Sequence, residues 1–455
     1  MREQIRREAT KGLSAAVVLV MSAFGAGGAE PPAASPSPVV GRLVSKDGTV
    51  LQRSKPDQAW QVVSQNDKLH GGALLIGLPG AVVETTKETV RLTLLTDMDK
   101  NSPYPILEAA VVLHDSPDYD LDFTLDRGRV DVTNIKKKGP ARVRIRFHDQ
   151  KWEATLAEPG TRIALELFGR WAKGEKFTPE PDPDHVPAAN LIFLVRKGHV
   201  QLDHGSCYHT LSAPPGPAQL RWNNSGEADE APKKLDKLPD WAATEESTSE
   251  RAERIKKVVE EFRKEVVKSS PHTATRTFAK SEDPNQRATG VIFMGAMDDL
   301  EGIGDVLTGT DHADAWDRAV VVLRQWIGRC ACQDQVVYKR LLDKRGLKPA
   351  QAAGIMQLLH SFDDADLAQP ELYTTLVKFL DNEQLGIRGL AHWHLVRLVP
   401  AGAKFGYNPL DPKEKRDKAR DQWKKLIKKV LDKGELPPKK ELPPKKELPP
   451  KNLPK

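Results

Sequence analysis

The stretch Ala141-Arg142-Val143-Arg144-Ile145-Arg146-Phe147 sets an arginine against an apolar residue at every second position. Successive side chains of a strand point to opposite faces, so this alternation predicts a strand that buries Val143, Ile145 and Phe147 and turns its arginines outward. Val90, Leu92 and Leu94, alternating with Arg91 and Thr93, repeat the pattern. Turn formers separate such segments: Lys46-Asp47-Gly48, Leu78-Pro79-Gly80, Asp126-Arg127-Gly128, Lys138-Gly139-Pro140 and Glu158-Pro159-Gly160. Each supplies glycine or proline where a hairpin needs positive φ or a fixed bend. Residues 39–222 therefore predict an all-β domain, a β-sandwich or β-solenoid. The row Arg142, Arg144, Arg146 has the form of a ligand-binding stripe, but pleating alone places the three on one side, and a solvated strand face is the simpler expectation.

The pattern changes after Trp222. Residues 223–243 are polar, carry Gly226, Pro232 and Pro239, and lack periodicity, which predicts a linker. From Thr244 to Lys268, Ile255, Val258, Val259, Phe262 and Val266 recur at spacings of three and four, the signature of an amphipathic helix. Further helices are expected at about Gln286–Leu300, Ala313–Arg329, Gln333–Arg345, Pro349–Phe362, Pro370–Leu380 and Leu385–Val399. Asp311, Lys348-Pro349 and Gln369-Pro370 signal three of their starts. The expected fold class is thus multidomain, β then α, with antiparallel helices over 244–432.

The ends are of different character. Arg2, Arg6, Arg7 and Lys11 precede the apolar run Leu13–Phe24 and then Gly25-Ala26-Gly27-Gly28-Ala29, the three-part pattern of a secretory signal. Residues 1–29 are expected to be a signal peptide cleaved near Ala26 or Ala29, or else a membrane anchor, with 30–38 as a proline-rich spacer. Export to the periplasm or cell envelope follows. At the other end, Lys440-Glu441-Leu442-Pro443-Pro444-Lys445 recurs as Lys446-Glu447-Leu448-Pro449-Pro450-Lys451, and paired prolines predict an extended, disordered Lys/Pro-rich tail over 433–455. From Pro412 on there are 16 Lys and Arg against 7 Asp and Glu, an excess larger than the whole chain's formal +6. The rest of the chain is slightly acidic, which removes the electrostatic basis for nucleic-acid binding.

Two resemblances follow from particular residues. Gly41-Arg42-Leu43-Val44, Gly48-Thr49-Val50, Trp60-Gln61-Val62-Val63, Asp67-Lys68-Leu69 and Gly80-Ala81-Val82-Val83-Glu84 are similar to the opening of a FecR-like domain. Phe123-Thr124-Leu125 with Arg127-Gly128-Arg129-Val130-Asp131-Val132, and Trp152-Glu153-Ala154 through Gly160-Thr161-Arg162-Ile163-Ala164-Leu165, resemble its later strands, and Ile192–Val195 with Lys197–Val200 would be a further rung. The resemblance implies a periplasmic sensing domain, which in FecR-type regulators lies across one membrane span from a cytoplasmic anti-sigma segment. Only about 12 residues precede the apolar run here, too few to fold such a segment. In the helical half, Arg287-Ala288, Gly295-Ala296 and Asp298-Asp299-Leu300, and again Ile387-Arg388-Gly389-Leu390-Ala391 with Leu395 and Leu398, resemble HEAT-type repeats. This implies an α-solenoid in which Arg or Asp holds the turn between paired helices. Phe405-Gly406-Tyr407-Asn408-Pro409 before a charged helix with Trp423 is similar to the closing segment of some exported bacterial HEAT-repeat proteins.

Candidate chemistry is sparse. Asp203, His204, Cys207 and His209 crowd seven positions, but Leu202 and Leu211 around them predict a hairpin turning at Gly205-Ser206, and no second ligand pair has matching spacing. His392 and His394 flank Trp393 on a helix, where i and i+2 diverge, and His312 is placed to start a helix. Cys330 and Cys332 are expected to pack within a helix, unlinked by a disulfide. No Gly-x-Ser-x-Gly, His-Glu-x-x-His or phosphate-binding loop is present. No catalytic residue, metal ligand or cofactor is therefore expected. The expected role is an exported, non-catalytic binding or scaffold protein whose partner is an envelope protein or cell-wall polymer. The alternatives are a membrane-anchored FecR-type sensor, associated with the membrane through its N-terminal segment, and a metal-dependent hydrolase.

Overall fold

A computed structural model describes residues 37–434 apart from 98–101, 103–105, 181, 183–184, 206, 226–228, 230 and 244–248. The segment expected to be a signal or anchor, most of the proline-rich spacer and the tail from 435 onward lie outside the described residues. Among the described residues no helix is long and apolar enough to cross a membrane.

Strands come first and helices follow, the β-then-α order that the periodicities predict. The strands run from β1 (Val39–Leu43) to β17 (Lys233–Leu235). One of them, β9 (Leu121–Asn134), belongs to two sheets. Its first half pairs antiparallel with β8 (Ala109–His114) and parallel with β10 (Ala141–Phe147). Its second half pairs antiparallel with β7 (Val90–Leu95) and β12 (Arg162–Arg170). The change of sheet falls at Asp126-Arg127-Gly128, where the sequence predicts a hairpin turn. The chain does not reverse there: Gly128 takes φ +87° inside a continuing strand, beside a register shift against β8. Glycine is needed at that point, because a Cβ would fall 1.9 Å from the Glu108 carbonyl oxygen. The other four predicted turns do lie between strands.

The inward residues of both sheets meet in one core, including Val143, Ile145 and Phe147 from β10, Val90, Leu92 and Leu94 from β7, and Trp152 and Phe193. The outer faces are covered as well. Leu51, Trp60, Ile76, Leu78 and Ala110 pack against Val258, Phe262, Val266, Phe278, Phe293 and Met297 of the helical half. Within 223–243, expected to be a linker, β17 pairs with β16 (Gly216–Asn223), and Trp241 and Ala242 are buried against Ala164, Ile192 and Leu194. Two buried residues were enough to dock a segment whose polar composition hid them.

The helices are α1 (Asp240–Ala243), α2 (Glu250–Lys268), α3 (Pro271–Ala279), α4 (Pro284–Ala296), α5 (Leu300–Gly309), α6 (Ala313–Ile327), α7 (Gln333–Asp343), α8 (Pro349–His360), α9 (Asp364–Leu367), α10 (Pro370–Phe379), α11 (Leu385–Leu398) and α12 (Lys413–Asp432). The helix expected over Gln286–Leu300 ends at Ala296, and α5 follows it, past Leu300 over residues where no helix was expected. Asp298 turns the chain at φ +63°, and Asp299 caps α5 by accepting from the Gly302 amide at 2.9 Å. Arg287 and Arg388 play matching parts in α4 and α11. Arg287 Nη1 donates to the carbonyls of Ser281 and Glu282, and Arg388 Nη1 to those of Asn382 and Glu383. In each case an arginine early in a helix satisfies the carbonyls of the turn before it.

The halves are joined by more than apolar contact. Buried Glu108 accepts from Arg127 at 2.9 Å and from Arg329, while Arg127 donates to the Ala296 carbonyl at 2.8 Å. Asp298 accepts from Arg53 at 2.7 Å and Trp326 at 2.9 Å, and Trp60 donates to the Met297 carbonyl at 3.0 Å. After β12, Trp171 donates to the Ile327 carbonyl at 2.9 Å and stacks on His360 at 4.8 Å. The described residues from Pro38 to Gly434 accordingly form one compact unit.

Candidate functional site

A cleft of about 690 Å³ opens where the two halves meet. Helix α2 supplies Arg251 and Ile255, α4 supplies Ala288 and Ile292, α6 supplies Asp314, Asp317 and Arg318, and α11 supplies Arg397. The β half contributes Thr96, Asp97, Ser102, Ile106 and Leu107 from the connection between β7 and β8. Ile255, predicted on the buried stripe of α2, lines this cleft instead, whereas Val258, Phe262 and Val266 of that stripe are buried.

The charges here are not equivalent. Asp314 is held by Arg287 through contacts of 2.8 and 3.0 Å. Arg397 donates to Asp317 at 3.2 Å and lies 3.8 Å from the Trp393 ring centre. Burial, and then the like charge of Arg251, pull the Arg318 guanidinium below its ordinary pKa. The charge of Asp317 offsets part of this, and a guanidinium presents paired N–H groups in the geometry a carboxylate accepts. At the edge of the cleft, Ser102 donates to Glu166 Oε2 at 2.7 Å. Glu166 is fully buried, and burial pushes its carboxyl up to about 7, so it changes charge near neutrality. No local motif marks this site in the sequence: its cations come from three helices far apart along the chain and meet only in the fold.

The residues singled out in the sequence are placed as follows. On the hairpin of β14 (His199–His204) and β15 (Cys207–Ser212), His204 is paired with Cys207 and Leu202 with His209. Ligand atoms of His204, Cys207 and His209 all lie within 4.8 Å of one another, and the two imidazoles stack at 5.0 Å. Burial, then His209, lowers the His204 pKa. Asp203 is exposed and points to the other face, opposite Tyr208. The sequence has no second ligand pair at matching spacing, and the hairpin itself brings three donors together. His394 Nε2 donates to the Leu358 carbonyl at 2.8 Å, and His392 packs 4.9 Å from Tyr407. The two do not converge on one point. Burial drops both to about 4. His312 precedes α6 as its cap residue but makes no side-chain capping bond.

Cys330 and Cys332 differ from expectation. Helix α6 ends at Ile327, and both cysteines lie exposed in the turn before α7, Cys332 with φ +70°. Arg146 pairs with Asp122 through two contacts of 2.7 Å, Arg144 pairs with Glu153 at 3.1 Å, and Arg142 and Arg144 lie 4.7 and 3.9 Å from the Tyr119 ring centre. Their charges are largely answered within the protein.

Comparison with known proteins finds no matching family model, no matching curated protein and no matching solved structure.

Proposed function

We propose that this chain is an exported, non-catalytic binding protein of the bacterial cell envelope that takes an acidic segment of a partner protein into the cleft between its halves. The observation that carries the proposal is that Arg251, Arg318 and Arg397 line one cavity together with Ile255, Ile292 and Val321, while two of the carboxylates in its wall, Asp314 and Asp317, are engaged by Arg287 and Arg397. Charge-assisted hydrogen bonds to such guanidinium groups contribute about 1.5–3 kcal/mol each. The apolar walls add area that a peptide side chain can cover. A FecR-like identity for the β half and a HEAT-like one for the helices belong to the same proposal. The matching turn locks of Arg287 and Arg388 support a repeated helical unit.

The test is site-specific photocrosslinking of the full chain in its own cells, with the crosslinker at Ile255 in the cleft or at the exposed Tyr208. A protein captured at Ile255, absent at Tyr208 and lost in Arg251→Gln/Arg318→Gln, is the expected result. Equal capture at both positions, capture only of glycan, or capture that survives the double substitution removes the proposal.

A further inference from the structure

The β14–β15 hairpin brings His204, Cys207 and His209 together away from the residues that line the cleft. Along β14, Val200 and Leu202 point into the core, and His204 is the next residue on that face. Along β15, Leu211 points into the core, and His209 and Cys207 continue that face outward. At the end of an apolar stripe the sequence thus places three metal-binding side chains instead of three apolar ones. Trp152 lies 4.9 Å from the His204 ring and fixes one side of it.

Two atoms point to a missing partner. His204 Nε2 and His209 Nε2 are both buried and make no hydrogen bond. Buried polar atoms are ordinarily hydrogen-bonded, and these two belong to rings that stack at 5.0 Å in a cluster whose ligand atoms, the Cys207 Sγ included, lie within 4.8 Å of one another. Ligand atoms that lie within 4.8 Å of one another must close to the roughly 3.3–3.5 Å edges that metal–nitrogen bonds of about 2.0 Å and a metal–sulfur bond of about 2.3 Å impose on a tetrahedron. Cys207 is exposed at the hairpin end, where its side chain can change rotamer.

We infer that His204, Cys207 and His209 bind one late transition-metal ion, with Zn2+ the occupant that the two-imidazole, one-thiol set favours and the fourth position left to solvent. Binding forms two metal–nitrogen bonds and one metal–sulfur bond, and the Cys207 thiol proton passes to solvent. Mixed nitrogen and sulfur donors select zinc or copper over magnesium or calcium, which take oxygen. Asp203, on the opposite face, takes no part.

The experiment titrates the full chain, freed of metal with a chelator, with CoCl2 and then ZnCl2. One Co2+ per chain is expected, with a near-ultraviolet thiolate-to-cobalt absorption that Zn2+ abolishes by displacement. Cys207→Ser removes that absorption, His204→Gln and His209→Gln each weaken Co2+ binding at least tenfold, and Asp203→Asn changes neither. Circular dichroism establishes that each variant is folded. Because Cys207→Ser replaces an exposed residue, it tests the site without disturbing the core. Absence of stoichiometric Co2+ binding overturns the inference. So does an absorption that survives Cys207→Ser, or one lost instead in Cys330→Ser/Cys332→Ser. None of these results bears on capture at the cleft.

Discussion

Buried ionisable groups make this protein's stability depend on pH in two opposed ways. His392 and His394 titrate near 4 when folded and near 6.5 when unfolded. Their contribution is complete above about pH 6.5 and is lost as pH falls toward 4, because the unfolded chain takes up protons that the folded one refuses. At pH 4 each costs on the order of 3 kcal/mol. Glu166 runs the other way: raised from 4.5 to about 7, it contributes fully below 4.5, and its contribution is lost as pH rises through 7. Urea midpoints measured from pH 4.5 to 8 are therefore expected to peak near 6.5. In Glu166→Gln the alkaline decline should disappear while the acid decline stays. A constant offset between variant and parent at every pH would show that Glu166 is ionised throughout. None of this is legible in the sequence, where Glu166 between Leu165 and Leu167 reads as the outward position of an alternating strand and His392 between Ala391 and Trp393 fits either face of a helix; desolvation is a property of what folds over them.

Single elements carry uneven loads. Gly128 combines a positive φ with a backbone oxygen 1.9 Å from where a Cβ would sit, so Gly128→Ala is expected to cost more than about 3 kcal/mol. Gly139, with φ +81° and open space around it, should lose only about 1 kcal/mol on the same change. Urea denaturation of the two variants compares them directly, and equal losses would mean that β9 shifts to accommodate the methyl group. Glu108→Gln leaves Arg127 and Arg329 buried beside a neutral amide and is expected to cost about 3–5 kcal/mol. At this scale much was readable. The alternation at 141–147 and the helix starts at Pro349 and Pro370 lie where periodicity and proline place them. The bend in β9 was not, since Asp-Arg-Gly serves a hairpin and a bulge equally and only the partner strands decide between them. Helix α3 was missed because nine residues with Thr at three positions carry little periodicity.

At the scale of the molecule, the two halves share a buried layer and a charged clamp, so they are expected to unfold together. Near-ultraviolet and far-ultraviolet circular dichroism should report one coincident transition in urea. Two separated transitions would mean that the halves fold independently. The composition shift near Trp222 announces two kinds of secondary structure, but Leu51, Ile76 and Phe262 look in sequence like residues of two separate cores, and only the fold brings them into one. The candidate cleft was hidden for the same reason, its lining being scattered from Thr96 to Arg397.

That shared layer also has a history within each molecule's lifetime. Leu51, Trp60 and Ile76 are synthesised well before Phe262, Phe278 and Phe293, which cover them. At about 5–20 residues per second, the roughly 200 residues between the two sets occupy about 10–40 seconds of synthesis. For that interval a newly made β half has nothing to lay over its outer face, and it is then that a holding chaperone has something to grip.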